Sequence, residues 1–298
     1  MIESVVGRPR YHTLAAIRKS QSGGAPPETT TTHPSPVTRL PLEVFERIIV
    51  YLIYDSRSLR ACALTCHPWY IAVAPHLHHT LTIEASYCRK PGRSKSLQHK
   101  HDLGLLPLVR ELRVRACDYN STGRSLALSN HHALHQFSAL TNVRELWIDF
   151  LDIPEFMPRI NQCFGHFQPT VRSLGLAEPR GSRRHIIYFI GLFEHLEDLS
   201  LTYSGVGFQE ELSNDLTLVP NFHPPLHGWL KMMNVKGMEL VEDMIDILGG
   251  IRFRYMNLFN VNGMQLLLDT CAETLELLRL YPTDPHGEQF FWRRTSSS

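Results

Sequence analysis

Residues 140 to 148 read Leu-Thr-Asn-Val-Arg-Glu-Leu-Trp-Ile, and residues 196 to 201 read Leu-Glu-Asp-Leu-Ser-Leu. Each closes on a short apolar alternation, Leu146 with Ile148 and Leu199 with Leu201, the period of two that marks a strand with one buried face. The same ending returns in Leu108 to Val114, Val171 to Leu176, Leu230 to Val235, Tyr255 to Leu258 and Leu275 to Leu280. Aligned on the last apolar residue, the seven stretches follow at intervals of 34, 28, 25, 34, 23 and 22 residues. Between them run segments of helical period, among them Ile186 to Phe193, Leu240 to Leu248 and Met264 to Cys271. A strand and helix of this size leave a face that only a neighbour can cover, so stacked units build one continuous core. The expected class is α/β, with an irregular strand/helix solenoid over residues 103–298.

Upstream, residues 37–82 have another character. Pro41 suits a first helical position, where a missing N–H costs nothing, and Glu43 favours the positive end of the helix dipole. At about 100° per residue, Leu42, Val44, Phe45, Ile48, Ile49, Tyr51, Leu52 and Ile53 fill an arc of about 200°, twice what a surface helix needs. Asp55 or Ser56 can cap a second helix carrying Leu59, Cys62, Ala63 and Cys66, and Pro68 opens a third with Trp69, Ile71, Ala72 and Val73. Three helices of about 45 residues in all sit near the lower limit for a stable core. Their surplus apolar surface implies either the following domain or a bound protein. Anchors at i, i+4 and i+8, such as Val44, Ile48 and Leu52, suit docking of a helix in a groove.

Residues 37–82 resemble the F-box, the module by which a large family of proteins docks on the small Skp adaptor of cullin-based SCF ubiquitin ligases. The resemblance rests on Leu40-Pro41, Glu43-Val44, Ile48, Leu52, Leu59, Cys66 and Trp69, in order and at family spacing. It implies that Leu40, Pro41, Val44, Ile48, Leu52 and Leu59 contact or support the adaptor surface, and that Trp69 packs the three helices together. The chain departs from the family at His67 and Pro68, where basic or polar residues are usual. Residues 103–298 are similar to the degenerate leucine-rich repeats that often follow an F-box. The implied function is a non-catalytic substrate receptor of an SCF ligase, with a Skp-type adaptor, a cullin reached through it, and an undefined protein target as partners. The rival expectation is a non-ubiquitin scaffold in which the three-helix unit merely caps the solenoid.

The rest of the chain sets limits. Lys+Arg number 30 against 29 Asp+Glu, giving no global field to draw in nucleic acid or an anionic membrane. The longest apolar run, Ile48 to Tyr54, falls far short of a membrane span. Six scattered cysteines in a chain of 298 residues favour reduced thiols, hence the cytoplasm or nucleus. Residues 1–36, with Ala25-Pro-Pro and Thr29-Thr-Thr-Thr-His-Pro-Ser-Pro, read as a disordered arm, and 83–102, with Arg89, Lys90, Arg93, Lys95 and Lys100, as a solvated linker. The arm's Arg8, Arg10, Arg18 and Lys19 lack the sustained amphipathic period of a transit peptide.

No nucleophile-and-base motif, phosphate loop or metalloprotease helix occurs, and no cofactor is expected. Cys62, Cys66, His67, His76, His78 and His79 crowd together without zinc-finger spacing, and His131, His132 and His135 read as packing on a helix. Phe290-Phe-Trp292 is expected to cap the last repeat. The segment Tyr203 to Leu226 is the longest insertion, but no target-binding residue stands out in it.

Overall fold

A computed structural model describes residues 41–85, 95–116, 138–151, 153–156, 164–203, 226–235, 238–247, 250–281 and 290–294. The fold is mixed α/β, organised by one nine-stranded sheet. Its strands are β1 (Thr80–Ala85), β2 (Glu111–Ala116), β3 (Glu145–Asp149), β4 (Ser173–Ala177), β5 (Asp198–Thr202), β6 (Trp229–Met233), β7 (Tyr255–Phe259), β8 (Leu277–Tyr281) and β9 (Phe290–Arg293). They lie side by side in chain order. The first eight run parallel and β9 returns antiparallel on β8.

The register aligns the apolar positions into two columns. One runs Leu81, Leu112, Leu146, Leu174, Leu199, Leu230, Met256, Leu278, and the other Ile83, Val114, Ile148, Leu176, Leu201, Met232, Leu258, Leu280. Nearly all of these side chains are buried, against helices on one side of the sheet. Burying one such side chain stabilises by about 1.5–3 kcal/mol, so the columns hold the strands in phase despite unequal spacing between them. Among those helices are α5 (Ile153–Phe156), α6 (Arg183–Ile190), α7 (Met238–Ile247) and α8 (Met264–Cys271). Phe164, Phe167, Phe189 and Phe193 join them in an edge-to-face series with centroids 5.5–5.7 Å apart.

The backbone repeats more regularly than the sequence. Before most of the parallel strands, one carbonyl accepts two successive N–H groups of the next: Arg110 O from Arg144 and Glu145, Arg144 O from Arg172 and Ser173, Arg172 O from Glu197 and Asp198, Arg254 O from Glu276 and Leu277. Just after β3, β4, β6 and β7, Phe150, Glu178, Asn234 and Asn260 adopt left-handed conformations with φ between 49° and 59°. That geometry suits Asn and strains Phe. Asn260 Nδ2 donates to Asn234 Oδ1 at 3.2 Å, linking two of these corners.

Three expectations need adjusting. The seven apolar endings all become strands, but β6 is phased on Leu230 and Met232, with Val235 buried beyond the strand end. The true spacing across β6 is therefore 201 to 232 to 258. The sheet begins at Thr80, inside the expected three-helix module, because Leu81 and Ile83 alternate with Thr80 and Thr82 and extend the two columns. The expected linker 83–102 holds the end of β1 and a helix, α4 (Lys95–Asp102), packed beside β1. Lys100 Nζ donates to Thr80 O at 3.3 Å, and burial lowers the pKa of Lys100 and of neighbouring His78. The expected arm 1–36 lies outside the described residues, as do His131, His132, His135 and most of the 203–226 insertion.

A close contact joins β3 and β4 on the open face of the sheet. Trp147 on β3 lies over Gly175 on β4, its register partner, and a Cβ at Gly175 would collide with the indole ring. Only glycine leaves room there.

Candidate functional site

The three helices are α1 (Leu42–Val50), α2 (Ser56–Ala63) and α3 (His67–Leu77). Pro41, expected as the first helical residue, instead stands at the N-cap of α1, one position before Leu42, with φ −58° and ψ 148°. Glu43 occupies the first turn and Arg47 the last, both favourable to the helix dipole. Asp55 caps α2: its Oδ1 accepts from the N–H groups of Arg57 and Ser58 at 3.0 and 3.2 Å, and its Oδ2 from Ser58 Oγ at 2.6 Å. The Ser58 hydroxyl bond, with the backbone bonds after it, holds the Asp55 carboxyl below its ordinary pKa. Cys66 takes the N-cap of α3, and Pro68 sits in its first turn, where proline fits without breaking the helix.

These helices enclose a small core of their own, built from Phe45, Ile49, Leu59, Ala72 and Val73, with Leu52, Cys62, Ala63, Trp69 and Leu77 packed around it. It is a separate cluster from the one beneath the sheet. Trp69 meets Phe45 edge to face, with centroids 4.8 Å apart and planes at 80°.

Helix α1 carries two apolar stripes. Phe45 and Ile49, at i and i+4, are 1% and 0% exposed and point inward. Val44 and Ile48, one residue earlier on the spiral and so about 100° away, are 37% and 40% exposed. Tyr51, 87% exposed, continues the outer stripe at i+7. Val50, Ile53, Tyr54, Leu64 and Ile71 are further large apolar side chains in contact with water on this unit. An arc of this breadth on one helix has half its surface satisfied by the unit's core and half left over.

The seven positions expected to serve a docking partner divide accordingly. Pro41, Val44 and Ile48 are at the surface. Leu52 is half-buried against the core rather than aligned with Val44 and Ile48. The helix tightens after Val50, with Tyr51 N–H donating to Ile48 O and Leu52 N–H to Ile49 O, both i to i−3 bonds, and the added twist per residue turns Leu52 inward. Leu59 is 2% exposed and Trp69 half-buried, so both lie in the core that fixes the helices. Leu40 lies outside the described residues, and nothing is described of the Leu42 side chain. Sequence reasoning passed over Tyr54 and Leu64 as surface residues, and put Tyr51 on the apolar arc without choosing it as an anchor. A helical wheel signals Tyr51, but not the turn that parts it from Leu52.

Among the described residues no three His, Cys, Asp or Glu side chains converge to hold a metal. Cys62, Cys66 and Cys271 are free thiols, and burial raises the Cys271 pKa. No described helix is long and apolar enough to cross a membrane. The chain matches no protein-family model and no curated protein sequence.

Proposed function

We propose that the protein is a substrate receptor of an SCF-type ubiquitin ligase, with α1 to α3 acting as an F-box that docks on a Skp-type adaptor. The strands and helices that follow form an irregular leucine-rich-repeat-like solenoid that receives the protein target, and a cullin is reached only through the adaptor. The receptor carries out no chemistry. Its contribution to rate is proximity, holding a target lysine near the loaded ubiquitin thioester. Work of this kind belongs in the cytoplasm or nucleus.

The observation that carries the reading is the outer stripe of α1. Val44, Ile48 and Tyr51 form a continuous apolar edge on a helix whose other stripe already completes a core. Exposed apolar surface concentrated in this way marks interaction sites, and a stripe at i, i+4, i+7 is the pattern of helix-to-groove docking. The resemblance of Leu40-Pro41, Glu43-Val44, Ile48, Leu59 and Trp69 to the F-box pattern supports a Skp-type adaptor as that partner.

The capping alternative has its own support, since only His78 and His79 separate α3 from β1. The two readings part on one experiment. A chain lacking residues 37 to 77, which leaves β1 intact, is compared with the full chain for adaptor co-purification and for cooperative unfolding. A receptor loses the adaptor and keeps the sheet's unfolding transition. A cap leaves no adaptor in either preparation and a sheet that no longer unfolds cooperatively.

A further inference from the structure

The residues that stand just before the parallel strands form a row along one end of the sheet. From β1 to β6 the row reads His79, Arg110, Arg144, Arg172, Glu197 and Gly228, held in register by the backbone. His79 O accepts from the Arg110 N–H, Arg110 O from the Arg144 N–H and Arg144 O from the Arg172 N–H, each at 2.8 Å. Arg172 O accepts from the Glu197 N–H at 2.7 Å, and Glu197 O from the Gly228 N–H at 2.9 Å. The bond repeats while the side chain changes from cation to acid to none at all, so the fold does not call for arginine here. Three arginines on successive strands nevertheless stand about 4.8 Å apart, and like charges placed side by side on a sheet are unfavourable.

Their counter-charges are unequally shared. Arg172 pairs with Glu197. The guanidinium groups of Arg110 and Arg144 meet no carboxylate or other acceptor among the described residues, and Arg144 is exposed and Arg110 half-buried. Of the acids that follow them, Glu111 is 8% exposed and already accepts from Thr80 Oγ1 at 2.6 Å and Arg113 Nε at 2.5 Å. Glu145, half-buried on β3 and the register partner of Glu111, has no side-chain partner among the described residues. Farther along the same end the charges balance, with Arg254 before β7 lying 3.9 Å from Glu276 before β8.

We infer that the starts of β2 to β4 form a docking site for an acidic, extended peptide segment running across these strands. Carboxylates on alternate residues of such a segment lie about 6.6 Å apart on one side, within reach of flexible arginine arms rooted about 4.8 Å apart. Arginine binds a carboxylate through two parallel N–H bonds, so Arg110 and Arg144 each take one. Main-chain N–H groups between the carboxylates answer Glu145. Nucleic acid fits less well, since its affinity comes from many phosphate contacts and a continuous run of phosphates would be repelled by Glu145. The inference rests on the receptor reading only in taking the segment as part of a target.

Fluorescence anisotropy on the full chain tests it with a labelled peptide of alternating glutamate and serine. Comparison probes are its glutamine-for-glutamate counterpart, a phosphoserine counterpart and oligouridylate. The glutamate peptide should bind and the glutamine peptide should not. Arg144→Glu should weaken binding about tenfold or more with an unchanged melting temperature, and Arg144→Gln about threefold. Lys231→Glu, a like charge change at an exposed position three strands along, lies beyond the roughly 8 Å screening length of physiological salt and should leave binding unchanged. Failure of the glutamate peptide to bind, equal binding of the glutamine peptide, or unaltered affinity in folded Arg144→Glu or Arg144→Gln overturns the inference. So does tighter binding of the phosphoserine peptide or oligouridylate than of the glutamate peptide. Arg144→Glu should still capture the adaptor and Ile48→Lys should still bind the peptide, so failure of one surface is distinguishable from failure of the other.

Discussion

The three-helix unit and the sheet handle apolar residues in opposite ways. In the sheet, two apolar columns run from strand to strand and almost every member is buried by helices of the same chain. In α1 to α3, five residues suffice for a core, and eight large apolar side chains between Val44 and Ile71 remain exposed. In the rest of the described chain only Trp229, Met238 and Trp292 do so. The sheet is thus satisfied by its own repetition, while the small unit carries a surplus that its own folding does not explain.

Substitutions that break this contrast should differ in size as the burial does. Leu199→Ala, which empties a 1%-exposed position in the middle of a column, should destabilise the chain by about 2–5 kcal/mol in urea unfolding. Gly175→Leu comes next: the new side chain must displace Trp147, at about 1–3 kcal/mol, with a change in tryptophan fluorescence. Combining it with Trp147→Ala should recover part of the loss, because the two changes share one contact. Ile48→Lys should move stability by no more than about 0.5 kcal/mol, since the side chain meets water, and yet should abolish adaptor binding. Asp55→Asn should have the smallest effect, and one that depends on pH. The folded Asp55 carboxyl titrates below its ordinary value of 3.8, so its stabilisation is complete above that pH and fades as the pH falls through the folded pKa. Thermal melts of Asp55→Asn and wild type should therefore converge in strong acid.

The same contrast decided what could be read from the sequence. Seven of the strands were legible because Leu199 and Leu201, or Leu174 and Leu176, state their period within a few residues. The phase of β6 was not, since Leu230, Met232 and Val235 are all apolar and only cross-strand register separates strand from corner. In β1, Leu81 and Ile83 show the same alternation, but the helices just before them drew the residues into the wrong unit. For the proposed docking surface, periodicity revealed an arc too broad for one purpose. It could not divide that arc into Phe45 and Ile49 within and Val44, Ile48 and Tyr51 without, because the division depends on where the other two helices pack.

The most direct measurement is the affinity of the purified chain for a purified Skp-type adaptor, taken with the melting temperature, for wild type and a Val44→Lys, Ile48→Lys double variant. A docking surface predicts tight binding by wild type, loss of that binding in the double variant, and melting temperatures that agree. No binding by wild type, with a double variant that melts well below it, would show instead that the stripe is structural and contradict the account.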